Sequence, residues 1–258
     1  MRKYLVQIIT LISTVIFILA LAGLGWTIQY HFFDHHSNGA EKTVTKEEKV
    51  KSTGKTIVAL GDSLTRGTGD ESGKGYIGYL VDELQDKSKE KITLYNLGVK
   101  GYQSKQLLKQ VKQKGVQREI RLADDILISI GGNDLFQGGQ AIKDLSLEKV
   151  TNQSHVYLQN LQSTIKEIRS HNQKATIYVI GLYNPFIDLE NSKLTTKIVR
   201  QRNYATSELL DKERNVVFVP TFDLFQLKVN DYLYSDKFHP NTKGYKLIAE
   251  RVASLITW

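Results

Sequence analysis

Four short stretches of this chain carry the side chains that a hydrolytic reaction needs: Gly61-Asp62-Ser63-Leu64, Asn96-Leu97-Gly98, Gly131-Gly132-Asn133-Asp134, and Ser235-Asp236-Lys237-Phe238-His239-Pro240-Asn241. Taken singly, each has a plain structural reading. Asp62 or Ser63 suits a helix cap, Gly98 a turn, Asn133 a left-handed position and Asn241 an N-cap. Taken together they supply a serine, a histidine with a carboxylate three residues before it, and amide donors. A nucleophilic serine needs a base, the base needs an orienting carboxylate, and the developing oxyanion needs donors already in place. The spacing of Asp236 and His239 lets one turn set the carboxylate under the imidazole and leave the other ring nitrogen for Ser63, while Pro240 fixes the chain direction into a helix. His155 and His171 fall on or at the end of a helical pattern, away from any strand terminus, and are poor rivals. With no cysteine in the chain, a thiol nucleophile, a thiolate metal site and a disulfide framework are all excluded.

These stretches must be positioned by something, and the pattern around them says what. Apolar, β-rich runs occur at 56–60 (TIVAL), 91–95 (KITLY), 125–130 (DILISI), 175–180 (ATIYVI) and 216–219 (VVFV). Helical periodicity lies between them: Leu158, Leu161, Ile165 and Ile168 in one segment, Ile198, Ala205 and Leu209 in another, and Tyr245, Ile248, Val252 and Leu255 in a last one. Nearly all-apolar strands alternating with helices predict a parallel sheet covered on both faces, a three-layer α/β/α sandwich. Ligands of such sheets bind outside the carboxyl ends of the strands, and the candidate residues directly follow predicted strands or precede the last helix.

The set GDSL, NLG, GGND and DxxHP, in that order from Asp62 to His239, resembles the SGNH hydrolases, the GDSL lipase and esterase family. The resemblance covers the chain from residue 55 onward, and GKGYIGYL around Gly75-Tyr76 is similar to small membrane-anchored or secreted members from Gram-positive bacteria. It implies a flavodoxin-like five-stranded parallel sheet. It also implies Ser63 as nucleophile, His239 as general base and then acid, and Asp236 as the residue orienting His239. The oxyanion hole it implies consists of the Ser63 and Gly98 backbone N–H groups and the Asn133 side-chain amide. Glycine at 98 is expected because a Cβ would crowd the acyl group, and Asn133 because a neutral amide donates without burying a charge. No metal or organic cofactor is implied. Lys237 and Phe238 stand where the family often has a glycine and an aliphatic residue, which bears on pocket shape. Leu135, Phe136, Tyr183, Pro185 and Phe186 follow the third and fourth strands and are expected to line an apolar substrate groove.

The N-terminus adds a location. After Arg2 and Lys3, residues 8–28 carry no charge, a run long enough to cross a hydrocarbon core. Trp26 and Tyr30 suit interfacial anchors. Residues 1–30 are therefore expected to be an uncleaved signal anchor with a cytoplasmic N-terminus, 31–54 a polar stalk, and 55–258 an extracytoplasmic hydrolase domain, released only if the Ala20-Leu21-Ala22 site is cut. His31, His35 and His36 read as juxtamembrane polar residues. The net charge of +8 is spread among acidic neighbours, so the chain is not expected to bind nucleic acid. The expected activity is carboxylic ester hydrolysis, with a lysophospholipid or other lipid acyl ester favoured by the anchor and the apolar groove. Two alternatives are deacetylation of cell-wall glycans and a non-catalytic, membrane-tethered binding protein on the same fold.

Overall fold

The computed structural model describes residues 54–88, 90–139, 147–190 and 192–257, together with Gln7, Ser13, Thr14, Phe17 and Ala20. The predicted anchor and stalk, with His31, His35 and His36, lie almost wholly outside the described residues. No helix among the described residues is long and apolar enough to cross a membrane. Every element below belongs to the unit Ser52–Trp258.

Five strands form one parallel sheet in the order β2-β1-β3-β4-β5: β1 (Gly54–Gly61), β2 (Lys91–Asn96), β3 (Asp125–Ser129), β4 (Thr176–Ile180) and β5 (Val216–Val219). The helices are α1 (Ser63–Arg66), α2 (Gly75–Lys87), α3 (Ser104–Gln110), α4 (Lys114–Leu122), α5 (Gly132–Phe136), α6 (Leu147–His171), α7 (Ser192–Leu210), α8 (Phe222–Phe225), α9 (Val229–Tyr232) and α10 (Thr242–Ala253). The strands coincide with the five runs expected from the sequence to within two residues at either end.

Alternate residues along each strand face opposite layers, so one apolar run builds two cores. Ile57, Ala59, Leu127, Tyr178 and Ile180 pack on α2 and α10 through Tyr76, Leu80, Tyr245, Ile248 and Val252. Val58, Leu60, Ile126, Ile128, Ile177 and Val179 pack on α3, α4 and α6 through Leu107, Ile120, Leu161, Ile165 and Ile168. One expectation needs correcting. The buried stripe of α7 runs through Ile198, Arg202, Thr206 and Leu210, whereas Ala205 and Leu209 are only half-buried. Arg202 is accommodated because its guanidinium lies 4.5 Å from the centre of the Tyr157 ring and its Nε donates to Ser154 Oγ at 3.0 Å. Leu255 falls two residues beyond the end of α10.

The central place of β1 and β3 sets the site. Both end in the middle of the sheet, between β2 and β4, and their carboxyl ends open into one crevice.

Candidate active site

Ser63 begins α1 directly after β1, and three features force the sharp exit from strand to helix. Gly61 has φ +135°, and a Cβ there would lie 2.0 Å from the Ser129 carbonyl oxygen, so only glycine lets β1 run this close to β3. Asp62 caps the helix by accepting from the Leu64 N–H at 3.0 Å. Ser129, at the end of β3, then locks the turn from below. Its carbonyl accepts from Asp62 N–H at 3.1 Å, and its Oγ donates to Asp62 Oδ1 at 3.1 Å and accepts from Thr65 N–H at 3.1 Å. Thr65 Oγ1 continues this network to Ser129 Oγ, Tyr76 OH and the Leu60 carbonyl. Burial pushes the Asp62 carboxyl up from 3.8 to about 7, against the pull of its bonds from Leu64 and Ser129. Ser129 and Thr65 escape a reading by motif, because single hydroxyls inside an apolar strand or a short helix carry no spacing signal, and the GKGYIGYL pattern marks Tyr76 without assigning it this bond.

His239 reaches Ser63 from the loop ahead of α10, although 176 residues separate them. Asn241 caps α10 by accepting from Gly244 N–H, and its amide donates to the Asp231 and Leu233 carbonyls. Tyr183 OH donates to the Phe238 carbonyl at 2.6 Å, pinning the loop from the end of β4. Two further bonds hold α10 to the loop after α1: Thr242 Oγ1 to Asp70 Oδ1 and Tyr245 OH to the Thr68 carbonyl. The result is a linear array, with Ser63 Oγ 2.8 Å from His239 Nε2 and His239 Nδ1 2.6 Å from Asp236 Oδ2. A carboxylate facing Nδ1 keeps the proton there and leaves Nε2 to accept from the serine hydroxyl. Burial tends to raise the Asp236 pKa, but bonds from the His239 ring and from the His239 and Phe238 N–H groups outweigh it and hold it below 3.8.

The three expected oxyanion donors sit differently. Ser63 N–H is at the start of α1, where helical N–H groups have no partner within the helix. Asn133, at the start of α5 after β3, lines the cavity beside Ser63 and gives one amide hydrogen to the Tyr102 carbonyl at 3.0 Å, leaving the second for a ligand. Gly98 N–H donates to Asn96 Oδ1 at 3.1 Å, and Gly98 is not among the residues lining that cavity. Packing gives a reason for glycine at 98 beside the one expected. A Cβ there would meet Thr65 Cγ2 and Arg66 N, each at 2.8 Å, so it would collide with α1. Asn96, the first residue of the NLG stretch and given no role there, ties the two together through its amide bond to the Thr65 carbonyl at 2.9 Å.

Beside Ser63 lies a cavity of about 40 Å³, walled by Ile130, Phe136, Leu182, Tyr183, Pro185 and Phe238 as well as the polar residues. Of the residues expected to line a substrate groove, Phe136, Tyr183 and Pro185 do so here. Leu135 is a correction: it is 1% exposed and packs with Val150, Ile198 and Val199 in a third apolar cluster, because it projects from α5 toward α7. Phe186 lines a neighbouring cavity instead, its ring edge-on to Phe136 at 5.0 Å. His155 and His171 lie on α6, the former beside Gln159 and the latter beside Glu167.

Comparison with known proteins identifies relatives of this chain. The chain is 37% identical over 222 residues to the uncharacterized protein YpmR of Bacillus subtilis strain 168, covering 84% of this chain and 85% of the relative. Among solved structures, the lipase Lip_vut3 from a goat rumen metagenome matches with a TM-score of 0.71 at 23% identity, covering 78% of this chain and 96% of that one. The acetylxylan esterase Axe2 of Geobacillus stearothermophilus matches with a TM-score of 0.59 at 22% identity, covering 79% and 94%. These likenesses establish a shared fold. The model of the GDSL-like lipase/acylhydrolase family matches residues 59–247, and with that match and the identity to YpmR, the chain belongs to this family.

Proposed function

We propose that the protein is a serine-dependent carboxylic ester hydrolase that takes short acyl groups. The observation that carries the reading is the unbroken Ser63–His239–Asp236 array at 2.8 and 2.6 Å, opening on a cavity with an amide donor and apolar walls. Ser63 Oγ attacks the acyl carbon as His239 Nε2 takes its proton. The oxyanion forms against Ser63 N–H and the free amide hydrogen of Asn133, with Gly98 N–H shared between Asn96 Oδ1 and the same oxygen. His239 then protonates the departing alcohol, and a water activated by the same nitrogen releases the acid.

The size of the cavity supports a short acyl group. One water needs roughly 10–15 Å³ on this measure, so about 40 Å³ admits on the order of three non-hydrogen atoms beyond the carbonyl. Acetyl to butyryl esters fit that space, including the acetyl esters of wall glycans. The lipid-ester reading draws on the apolar walls and on the charge-free run at residues 8–28 behind Arg2 and Lys3. In our reading residues 1–30 anchor the protein and 31–54 form the stalk, leaving 55–258 outside the cytoplasmic membrane, so the substrate is an envelope ester. Fractionation settles that placement: a full-size chain in the membrane fraction, accessible to external protease, is expected, and a chain confined to the cytosol refutes it. A fluorophosphonate probe should label the wild-type chain and spare Ser63→Ala, with loss of acetate-ester hydrolysis in the same variant. Equal labelling of both refutes the serine mechanism.

A further inference from the structure

The cavity beside Ser63 has a larger neighbour of about 400 Å³, lined by Gly138, Gly139, Phe186, Leu189, Lys237 and others. The two linings share only Pro185 and Phe238. Phe238 is thus one of two residues forming the wall between them. Its ring stands perpendicular to the His239 imidazole with centroids 5.1 Å apart on one side, and 6.0 Å from the Phe186 ring on the other. The backbone is committed to presenting it there. Lys237, immediately before, has φ +55°, a left-handed conformation that a lysine adopts at some cost, and Tyr183 OH holds the Phe238 carbonyl at 2.6 Å. Both constraints act on the main chain, so they persist when the side chain at 238 is shortened.

We infer that Phe238 is a specificity-determining residue: its ring closes the acyl cavity against the larger one and limits this enzyme to short acyl chains. This rests on the ester-hydrolase reading above. With the ring removed, a longer chain bonded to the Ser63-facing carbonyl runs past Pro185 into a space lined by the apolar Pro185, Phe186 and Leu189 and by the polar Asp188, Asn230, Asp236 and Lys237. Each methylene that finds apolar cover is worth about tenfold in selectivity, so a chain extended by several methylenes gains strongly even if only part of it is covered.

The test compares kcat/KM of the full chain for p-nitrophenyl acetate, butyrate and octanoate in wild type, Phe238→Ala, Phe238→Leu and Ser63→Ala. Wild type is expected to favour acetate and butyrate. The octanoate-to-acetate ratio should rise at least tenfold in Phe238→Ala and by a smaller factor in Phe238→Leu, which keeps apolar cover on Phe186. Circular dichroism reports whether each variant is folded, and if Phe238→Ala is not, Phe238→Leu decides with a threefold rise as the threshold. Folded variants with an unchanged ratio, or a wild type that already favours octanoate, overturn the partition. In that event an inactive Ser63→Ala leaves the hydrolase reading standing, whereas an active Ser63→Ala overturns that reading itself.

Discussion

Asp62, whose carboxyl caps the helix that begins at Ser63, should make the protein less stable as pH rises toward the neutral range, and Asp62→Asn should remove this contribution. The side chain is 6% exposed and its pKa lies at about 7 against an ordinary 3.8, chiefly because burial disfavours the charge. Between these values the native state holds a proton that the unfolded chain has released, so stability falls by about 1.4 kcal/mol per pH unit. Below pH 3.8 both states are protonated, and above pH 7 both are ionised, so the loss is confined to that window. Its full extent is about 4 kcal/mol, a large share of the 5–15 kcal/mol that holds a typical domain. Asn keeps an oxygen to accept from Leu64 N–H and Ser129 Oγ and never ionises. Asp236, with its lowered pKa, gains stability with rising pH only below this window. Asp125 is raised by burial despite Lys55 and contributes a slope of the same sign, but it is present in both proteins and cancels. Urea unfolding at pH 4.5, 6 and 8 should show Asp62→Asn gaining on the wild type by about 3 kcal/mol between pH 4.5 and pH 8. Parallel pH curves for the two proteins would refute the reasoning, because they would mean that the burial of this carboxyl carries no proton linkage.

Two further predictions concern the proposed oxyanion donors. Asn133→Ala should lower kcat by about 10² to 10³ with little change in KM, since the amide acts on charge that develops only in the transition state; a loss expressed wholly in KM would make Asn133 a ground-state binding residue. Gly98→Ala should destabilise the fold by about 1–3 kcal/mol through the contacts at 2.8 Å with Thr65 and Arg66 N, read as a lower midpoint in urea. If instead Gly98→Ala is fully stable and loses only activity, then crowding of the acyl group, and not packing on α1, is why the position is glycine.

The strands and the two faces of the sheet are legible in the sequence because a parallel sheet buried on both sides demands apolar runs, and runs such as Ile57 to Leu60 and Ile126 to Ile128 have no other use. The four blocks bearing Ser63, Gly98, Asn133 and the Asp236–His239 pair are legible as well, since each sits where a strand ends or a helix begins and carries a residue type with a defined reaction role. Parts of the helices are less so. Arg202 and Thr206 occupy the buried stripe of α7, and polar side chains there erase the periodicity that a reader counts. The site's supports were hidden for a related reason. Ser129, Thr65, Tyr76 and Asn96 form a network that joins the ends of β1, β2 and β3 to α1 and α2, and no local pattern announces partners that folding brings together. Gly98 shows the same divide: the sequence says that glycine is needed, and only the packing of its turn on α1 says against what. The width of the cavity beside Ser63 is likewise a tertiary property. It depends on where the Phe238 ring comes to rest between His239 and Phe186, which follows from a bond to Tyr183 and a left-handed Lys237, and no spacing of residues along the chain encodes it.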